Sequence, residues 1–230
     1  GIEKEMEYIA SQGPKQSTLT DFWAMIWQEN VSQIVMLTNL KEGNKTKCVQ
    51  YWPELNKVLS SGEFSICNKE EKIYAFYVIR RLKVTHKNKT SFVTQYHYTA
   101  WPDHGVPEPL CLVVFHDHVT RTRNKQNHSP VLVHCSAGIG RTGTYLAIDA
   151  LYKTGKTERK INIAEYVKRM RENRMNMVQT YEQYITIFLA LNYMFKACPS
   201  VLKKSDFIRK AESMKSDKPA NQTDLRREFQ

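Results

Sequence analysis

His134-Cys135-Ser136-Ala137-Gly138-Ile139-Gly140-Arg141-Thr142-Gly143-Thr144 separates two segments of different periodicity. Before it, Pro130 opens the apolar run Val131-Leu132-Val133, a short strand; beyond it, Thr144 to Lys153 carries a helical apolar face. A strand running straight into a glycine-containing loop and then a helix predicts a mixed α and β architecture. The loop sets a thiol and a guanidinium with five residues between them, and Ala137, Gly138 and Gly140 among those five are small. Small side chains let backbone N–H groups turn inward and form a nest for a tetrahedral oxyanion, and the next helix adds its unpaired N-terminal donors. Ser136, Ala137, Gly138, Ile139, Gly140 and Arg141 are therefore the candidate phosphate-binding residues.

A site built for anions favours Cys135 as its thiolate, with the charge of Arg141 nearby, which makes it a candidate nucleophile. Arg141 can grip two nonbridging oxygens in a fork that Lys cannot reproduce, and can keep that grip through an in-line transition state. Beside this cysteine, His134 is a candidate for orienting the loop and stabilising the thiolate. A single cysteine is ordinarily structural; the strand, small-residue loop, arginine and helix together set this one apart. The segment lacks the Gly-Lys-Ser/Thr ending of a Walker loop, and Gly138, Gly140 and Gly143 match only part of the dinucleotide GxGxxG spacing.

Outward from the loop, Thr180 to Phe195 and Ile161 to Met170 read as helices, as does Leu110 to Thr120, followed by a polar loop from Arg121 to Ser129. Phe92 to Tyr98 alternates as a strand and Lys87 to Lys89 is a hairpin tip; Phe64 to Cys67, Ile73 to Val84 and Ile34 to Leu37 are further strands. Thr18 and Asp21 have capping-box spacing ahead of a helix ending near Asn30. The 230 residues are 41% hydrophobic and 25% charged, enough for a sizeable core. The greasiest stretch, Ile185 to Leu191, is too short to span a bilayer, and no signal-like leader is present, so any membrane attachment is expected from sequence outside this chain. The net charge of +11 is spread without a basic run and suits anionic partners in general. With no zinc-finger, RNA-platform or helix-turn-helix pattern, nucleic acid is not expected as the main partner. Cys48, Cys67, Cys111, Cys135 and Cys198 are odd in number and form no zinc spacing, which predicts free thiols in a reducing compartment.

The string His134 to Gly143 resembles the signature of the tyrosine-specific, cysteine-dependent protein phosphatases. Trp101-Pro102-Asp103-His104-Gly105-Val106-Pro107 is similar to that family's mobile acid loop, and Val178-Gln179-Thr180-Tyr181-Glu182-Gln183-Tyr184 to its glutamine loop. Tyr8 to Pro14 and Lys47 to Pro53 resemble framework motifs, so the likeness covers about residues 1 to 195 in family order. It implies an α+β domain over residues 1–197, a twisted mixed central sheet flanked by helices, followed by a linker or interdomain segment at 198–230. It further implies that Cys135 attacks phosphorus while Asp103 serves as general acid, then base. Gln179 would position the water with Gln183 assisting, and Thr142 would support the departing thiolate. By the same likeness Trp101 is a hinge anchor, Glu42 pairs with Arg141 and Lys47 contacts the closed acid loop. No metal or cofactor is required.

The resemblance implies phosphotyrosine-containing proteins as partners. The absence of lysine between Ser136 and Gly140 argues against phosphoinositides. The family's aromatic ring clamp and N-terminal helices precede the segment equivalent to Tyr8. The domain is therefore expected to lack its N-terminal segment, with weak substrate affinity and poor stability. Asp224 to Gln230 resembles the approach to another helical element, as in receptor-type members with tandem domains, which implies a cytoplasmic location in a single-pass receptor. The alternative is a phosphotyrosine-binding module with little or no turnover.

Overall fold

The computed structural model describes residues 6–123, 129–196, 205 and 208. The chain divides into two units, Gly1–Lys196 and Ala197–Gln230, and every element below belongs to the first. The expected linker at 198–230, apart from two single residues, lies outside the described residues, as do Cys198, Asp224 to Gln230 and the centre of the polar loop at 124–128.

A seven-stranded mixed sheet forms the core, in the order β1 (Tyr8–Ser11), β9 (Val131–His134), β2 (Gln33–Met36), β8 (Lys89–Tyr98), β7 (Tyr77–His86), β6 (Phe64–Ile73) and β5 (Val58–Ser61). The first four are parallel and the remaining pairings antiparallel. Strand period two sorts the two faces. Val35, Leu37, Val131 and Val133 pack with α2 (Pro109–Arg121), α3 (Gly140–Glu158), α4 (Ile163–Asn173) and α5 (Tyr181–Lys196). Ile34, Met36 and Leu132 face Leu19, Phe22, Trp23 and Ile26 of α1 (Leu19–Gln28). A separate hairpin, β3 (Lys41–Glu42) with β4 (Lys45–Thr46), follows β2. No helix among the described residues is long and apolar enough to cross a membrane.

Several boundaries differ from the sequence expectation. The strands expected at Phe64 to Cys67 and Ile73 to Val84 meet instead at a turn after Ile73, closed by Tyr74 N–H donating to the Tyr77 carbonyl at 2.9 Å. Tyr74-Ala75-Phe76 carries no Gly, Pro, Asn or Asp to mark it. The helix after the loop begins at Gly140 rather than Thr144, which puts Arg141 and Thr142 in its first turn. Thr18 caps no helical N–H; its hydroxyl accepts from Lys15 N–H at 3.0 Å, closing the preceding turn Gln16–Thr18. The Tyr8 to Ser11 part of the framework motif forms edge strand β1, and Val58–Ser61 forms the opposite edge, neither marked by strong alternation.

A buried ionic network ties β1, α2 and α3 together. Asp149 accepts from the Tyr8 hydroxyl at 2.5 Å, from His116 Nε2 at 2.7 Å and from Lys153 Nζ at 2.6 Å, and Lys153 also reaches Glu7 at 2.8 Å. Burial works against the Asp149 charge, but His116 and Lys153 outweigh it and hold the carboxyl well below the usual range. Asp149→Ala, which takes the acceptor from the buried His116 Nε2 and the Tyr8 hydroxyl and leaves Lys153 only Glu7 as a charge partner, is expected to cost about 3–5 kcal/mol in urea unfolding at pH 7. A group with a depressed folded value stabilises above its unfolded value and loses that contribution as pH falls. The wild type should therefore weaken on acidification below about pH 4, and Asp149→Ala should lack that share of the decline.

Candidate active site

Ser11, His134, Met36 and His97 lie in one row across the four parallel strands. The segments that follow these strand ends leave the sheet on the same side, the usual ligand side of parallel sheets. They carry Gly13, the loop from Cys135 to Arg141, the stretch from Leu37 to Lys47, and Trp101 to Asp103. Gln179 and Gln183 approach from α5 and the segment before it. Glu42, Lys47, Asp103, Cys135, Arg141 and Gln179 line one cavity of about 410 Å³, together with Ser136, Ala137, Ile139, Gly140 and Gln183.

Cys135 is buried at the base of this cavity, and Gly138 N–H donates to its Sγ at 3.2 Å. Gly138 makes the loop possible. Its φ is +71°, and a Cβ there would collide with the Ser11 carbonyl and lie 2.6 Å from Gln12 N. Gly13 packs as closely under the loop: a Cβ would meet the Cys135 carbonyl at 2.8 Å, while its own N–H donates to the Ser136 carbonyl at 3.0 Å. The Ser136 hydroxyl donates to the Lys47 carbonyl at 2.9 Å. Cys48, beside Gly13, is a buried thiol pushed up to about 12 by desolvation and by Cys135.

His134 is buried beneath the loop. Its Nδ1 lies 3.1 Å from the Cys135 carbonyl, which can only accept, so Nδ1 carries the hydrogen and Nε2 accepts from the Tyr51 hydroxyl at 2.8 Å. Burial pushes the ring down to about 4, against the opposing carbonyl bond, so it is neutral at neutral pH. It orients the Cys135 backbone and brings no charge to the sulfur.

Arg141 is held from several sides. Nη1 donates to Glu42 Oε1 at 2.5 Å and to the Leu37 carbonyl at 3.2 Å; Nη2 donates to Glu42 Oε2 at 2.9 Å and to the Pro102 carbonyl at 3.2 Å. The guanidinium lies 5.5 Å from the Trp101 ring centroid, and Trp101 Nε1 donates to the Gly105 carbonyl at 3.3 Å. Burial opposes the Glu42 charge, but the Arg141 fork, Asp103 and Lys47 hold the carboxyl below its usual range. Lys47 Nζ stands 3.4 Å from Glu42 and 3.7 Å from Asp103. Asp103 thus faces the cavity from the acid loop, with exposed His104 beside it at 3.9 Å.

The Thr142 hydroxyl is fully buried without a partner among the described residues. The Gln183 amide oxygen accepts from Gln179 N–H at 2.9 Å and Thr180 N–H at 3.4 Å, while Thr180 Oγ1 accepts from Gln183 N–H at 3.3 Å. This capping box occupies the oxygen of Gln183 and leaves the Gln179 side chain on the cavity wall. Sequence reasoning missed two arginines near the end of α4. Arg174 donates to the carbonyls of Gly138 at 2.9 Å and Ala137 at 3.2 Å, and Arg171 to those of Met177 at 3.0 Å and Val178 at 2.9 Å. Their acceptors are backbone groups, which leave no mark in a side-chain pattern.

This geometry converges with similarity to known proteins. Over 198 residues the chain is 40% identical to receptor-type tyrosine-protein phosphatase alpha of Homo sapiens, covering 83% of this chain and 24% of that protein. It is 41% identical over 197 residues to receptor-type tyrosine-protein phosphatase epsilon of Rattus norvegicus, covering 83% and 28%. With receptor-type tyrosine-protein phosphatase zeta of the same organism it shares 38% over 243 residues, 100% of this chain and 10% of that one. The chain thus spans about a quarter or less of these curated relatives. Residues 1–193 match the protein-tyrosine phosphatase family as a whole, through the strands, loop and helices that build the cavity, and the chain belongs to that family.

Proposed function

We propose that the chain hydrolyses protein phosphotyrosine through a phosphocysteine intermediate. The observation that carries this is the placement of Cys135 Sγ under an inward N–H, in one cavity with Arg141 and Asp103. In the first step the Cys135 sulfur attacks phosphorus, the bond to the tyrosine oxygen breaks, and protonated Asp103 gives its proton to that oxygen, a poor leaving group as an anion. Arg141, whose four Nη hydrogens go to Glu42 and to the Leu37 and Pro102 carbonyls, presents its Nε–H to an equatorial oxygen, and the loop amides receive the remaining charge. In the second step Asp103, now a carboxylate, takes a proton from a water positioned by Gln179. The oxygen attacks phosphorus, the sulfur leaves as thiolate, and phosphate is released. The Thr142 hydroxyl is a buried donor without a partner among the described residues; in this reading it turns to the sulfur as it leaves.

The loop interior from Ser136 to Gly140 bears no cation for further phosphates, which supports a phosphoprotein over a phosphoinositide. The names of the similar proteins support reading this domain as part of a receptor-type phosphatase; on that reading it belongs on the cytoplasmic side of a single-pass membrane protein.

The test compares wild type, Cys135→Ser and Asp103→Ala on phosphotyrosine and phosphothreonine peptides. Asp103→Ala is expected to lower kcat on phosphotyrosine peptide by about 10²–10⁴-fold and to remove the alkaline limb of the kcat profile that a required acid produces. An Asp103→Ala protein with wild-type kcat would reject its acid role. Substantial phosphothreonine turnover would move the assignment to a shallow, dual-specificity pocket.

A further inference from the structure

Each carbonyl from Cys135 to Gly138 has a protein donor directed at it. The Cys135 carbonyl takes His134 Nδ1, the Ser136 carbonyl takes Gly13 N–H, and the Ala137 and Gly138 carbonyls both take Arg174. In a trans peptide C=O and N–H point in opposite directions, so a carbonyl pulled outward turns the next N–H inward. The Ala137–Gly138 peptide shows the result directly, with its oxygen on Arg174 Nη2 and its N–H on Cys135 Sγ. One turn earlier, Arg171 grips the Met177 and Val178 carbonyls. Val178 has φ +59°, a strained state for a β-branched residue, and its N–H donates to the Ile139 carbonyl at 3.2 Å. Strain of this kind persists only where the surroundings hold it, and the residue so held immediately precedes Gln179.

Resting on the phosphatase reading above, we propose that Arg174 and Arg171 are positioning residues with separate duties. Arg174 orients the amides of the anion nest, and Arg171 holds the strained Val178 that aims Gln179. Arg174 therefore governs anion binding and cysteine phosphorylation, and Arg171 governs hydrolysis of the intermediate. Neither touches the phosphate.

The test uses the 230-residue chain as Arg174→Met and Arg171→Met, each retaining an unbranched stem. Two quantities are read without turnover: the rate of Cys135 alkylation by iodoacetate and its protection by inorganic phosphate. Two are read with it: kcat/KM on a phosphotyrosine peptide and the phosphocysteine trapped by acid quench. Arg174→Met is expected to lose about 30- to 100-fold in phosphate affinity and in kcat/KM, as small misplacements of reacting groups do, and to trap no intermediate. Arg171→Met is expected to keep phosphate affinity within about threefold and to accumulate phosphocysteine while kcat falls about tenfold or more. Arg174→Lys, with one ammonium for two carbonyls, is expected to fall between wild type and Arg174→Met.

Wild-type alkylation and phosphate protection in a folded Arg174→Met overturn its role, and equal loss of phosphate affinity in both variants overturns the division of duties. If Arg174→Met does not fold, Arg174→Lys decides by the same readings, and wild-type phosphate affinity there overturns the proposal. Wild-type chain that releases no phosphate from peptide, while phosphate still protects Cys135 in wild type and not in Arg174→Met, would reject phosphatase function and leave the Arg174 assignment standing.

Discussion

Replacing Cys135 by serine is expected to lower phosphate release from a phosphotyrosine peptide by at least about 10⁴-fold, without loss of the folded circular dichroism spectrum. The hydroxyl occupies the same buried place but does not ionise near neutral pH, so it needs a base. Among the described residues the one hydrogen-bond partner of the Cys135 sulfur is a donor, Gly138 N–H, and no base bonds it. His134 precedes it in sequence, yet its Nδ1–H is given to the Cys135 carbonyl and its Nε2 accepts from Tyr51, so the imidazole cannot take a proton from residue 135. This separates the site from a serine–histidine hydrolase, in which the base bonds the nucleophile itself. Phosphate release by Cys135→Ser at the wild-type rate would eliminate the proposed nucleophile. Phosphopeptide binding is expected to survive, because the amides and Arg141 remain.

Arg141→Lys is expected to cost about 10²–10³-fold in kcat despite keeping the charge. A single ammonium cannot reproduce two parallel bonds to Glu42 while also holding the Leu37 and Pro102 carbonyls. Two losses follow. The guanidinium Nε–H that those four bonds aim at the anion disappears, and the acid loop loses the contact through Pro102 that brings Asp103 over the cavity. Buried Glu42 also keeps its charge with a poorer partner, which lowers stability. The decline should therefore appear in both kcat and the affinity for tungstate. A Lys variant within tenfold of wild type on both would show that bidentate geometry at residue 141 is dispensable.

The nucleophile loop was legible in the sequence because its chemistry is local. A thiol, small residues that permit inward amides, and an arginine succeed one another within a few positions, flanked by a strand and a helix whose periodicities are plain. The acid and glutamine segments carried no such local sign; Asp103 in a Pro/Gly-rich stretch has the composition of a turn, and resemblance alone singled it out. Other features were hidden for identifiable reasons. The turn at Tyr74 to Phe76 has no breaker residue and is closed by one backbone bond. Helix α3 begins at Gly140 because Ile139 turns the chain, and its carbonyl already accepts from Gly143 N–H, a bond that residue types do not announce. Gln183 shares the cavity wall with Gln179, and its second duty, an amide oxygen that caps the start of α5, depends on backbone N–H groups that side-chain types do not mark.

What the amino-acid order determined by itself was therefore the anion-binding loop, the thiol and guanidinium at its ends, and the strand and helix that flank it, since these depend on neighbours a few bonds apart. Tertiary structure decided the rest. Parallel pairing of β1, β9, β2 and β8 brought Gly13, Cys135, Glu42 and Asp103 to one side of the sheet. It also left His134 neutral and turned from the sulfur, and set Arg171 and Arg174 against carbonyls more than five residues away in sequence. Backbone carbonyls are the same in every residue, so which one an arginine meets is settled only when the chain has folded.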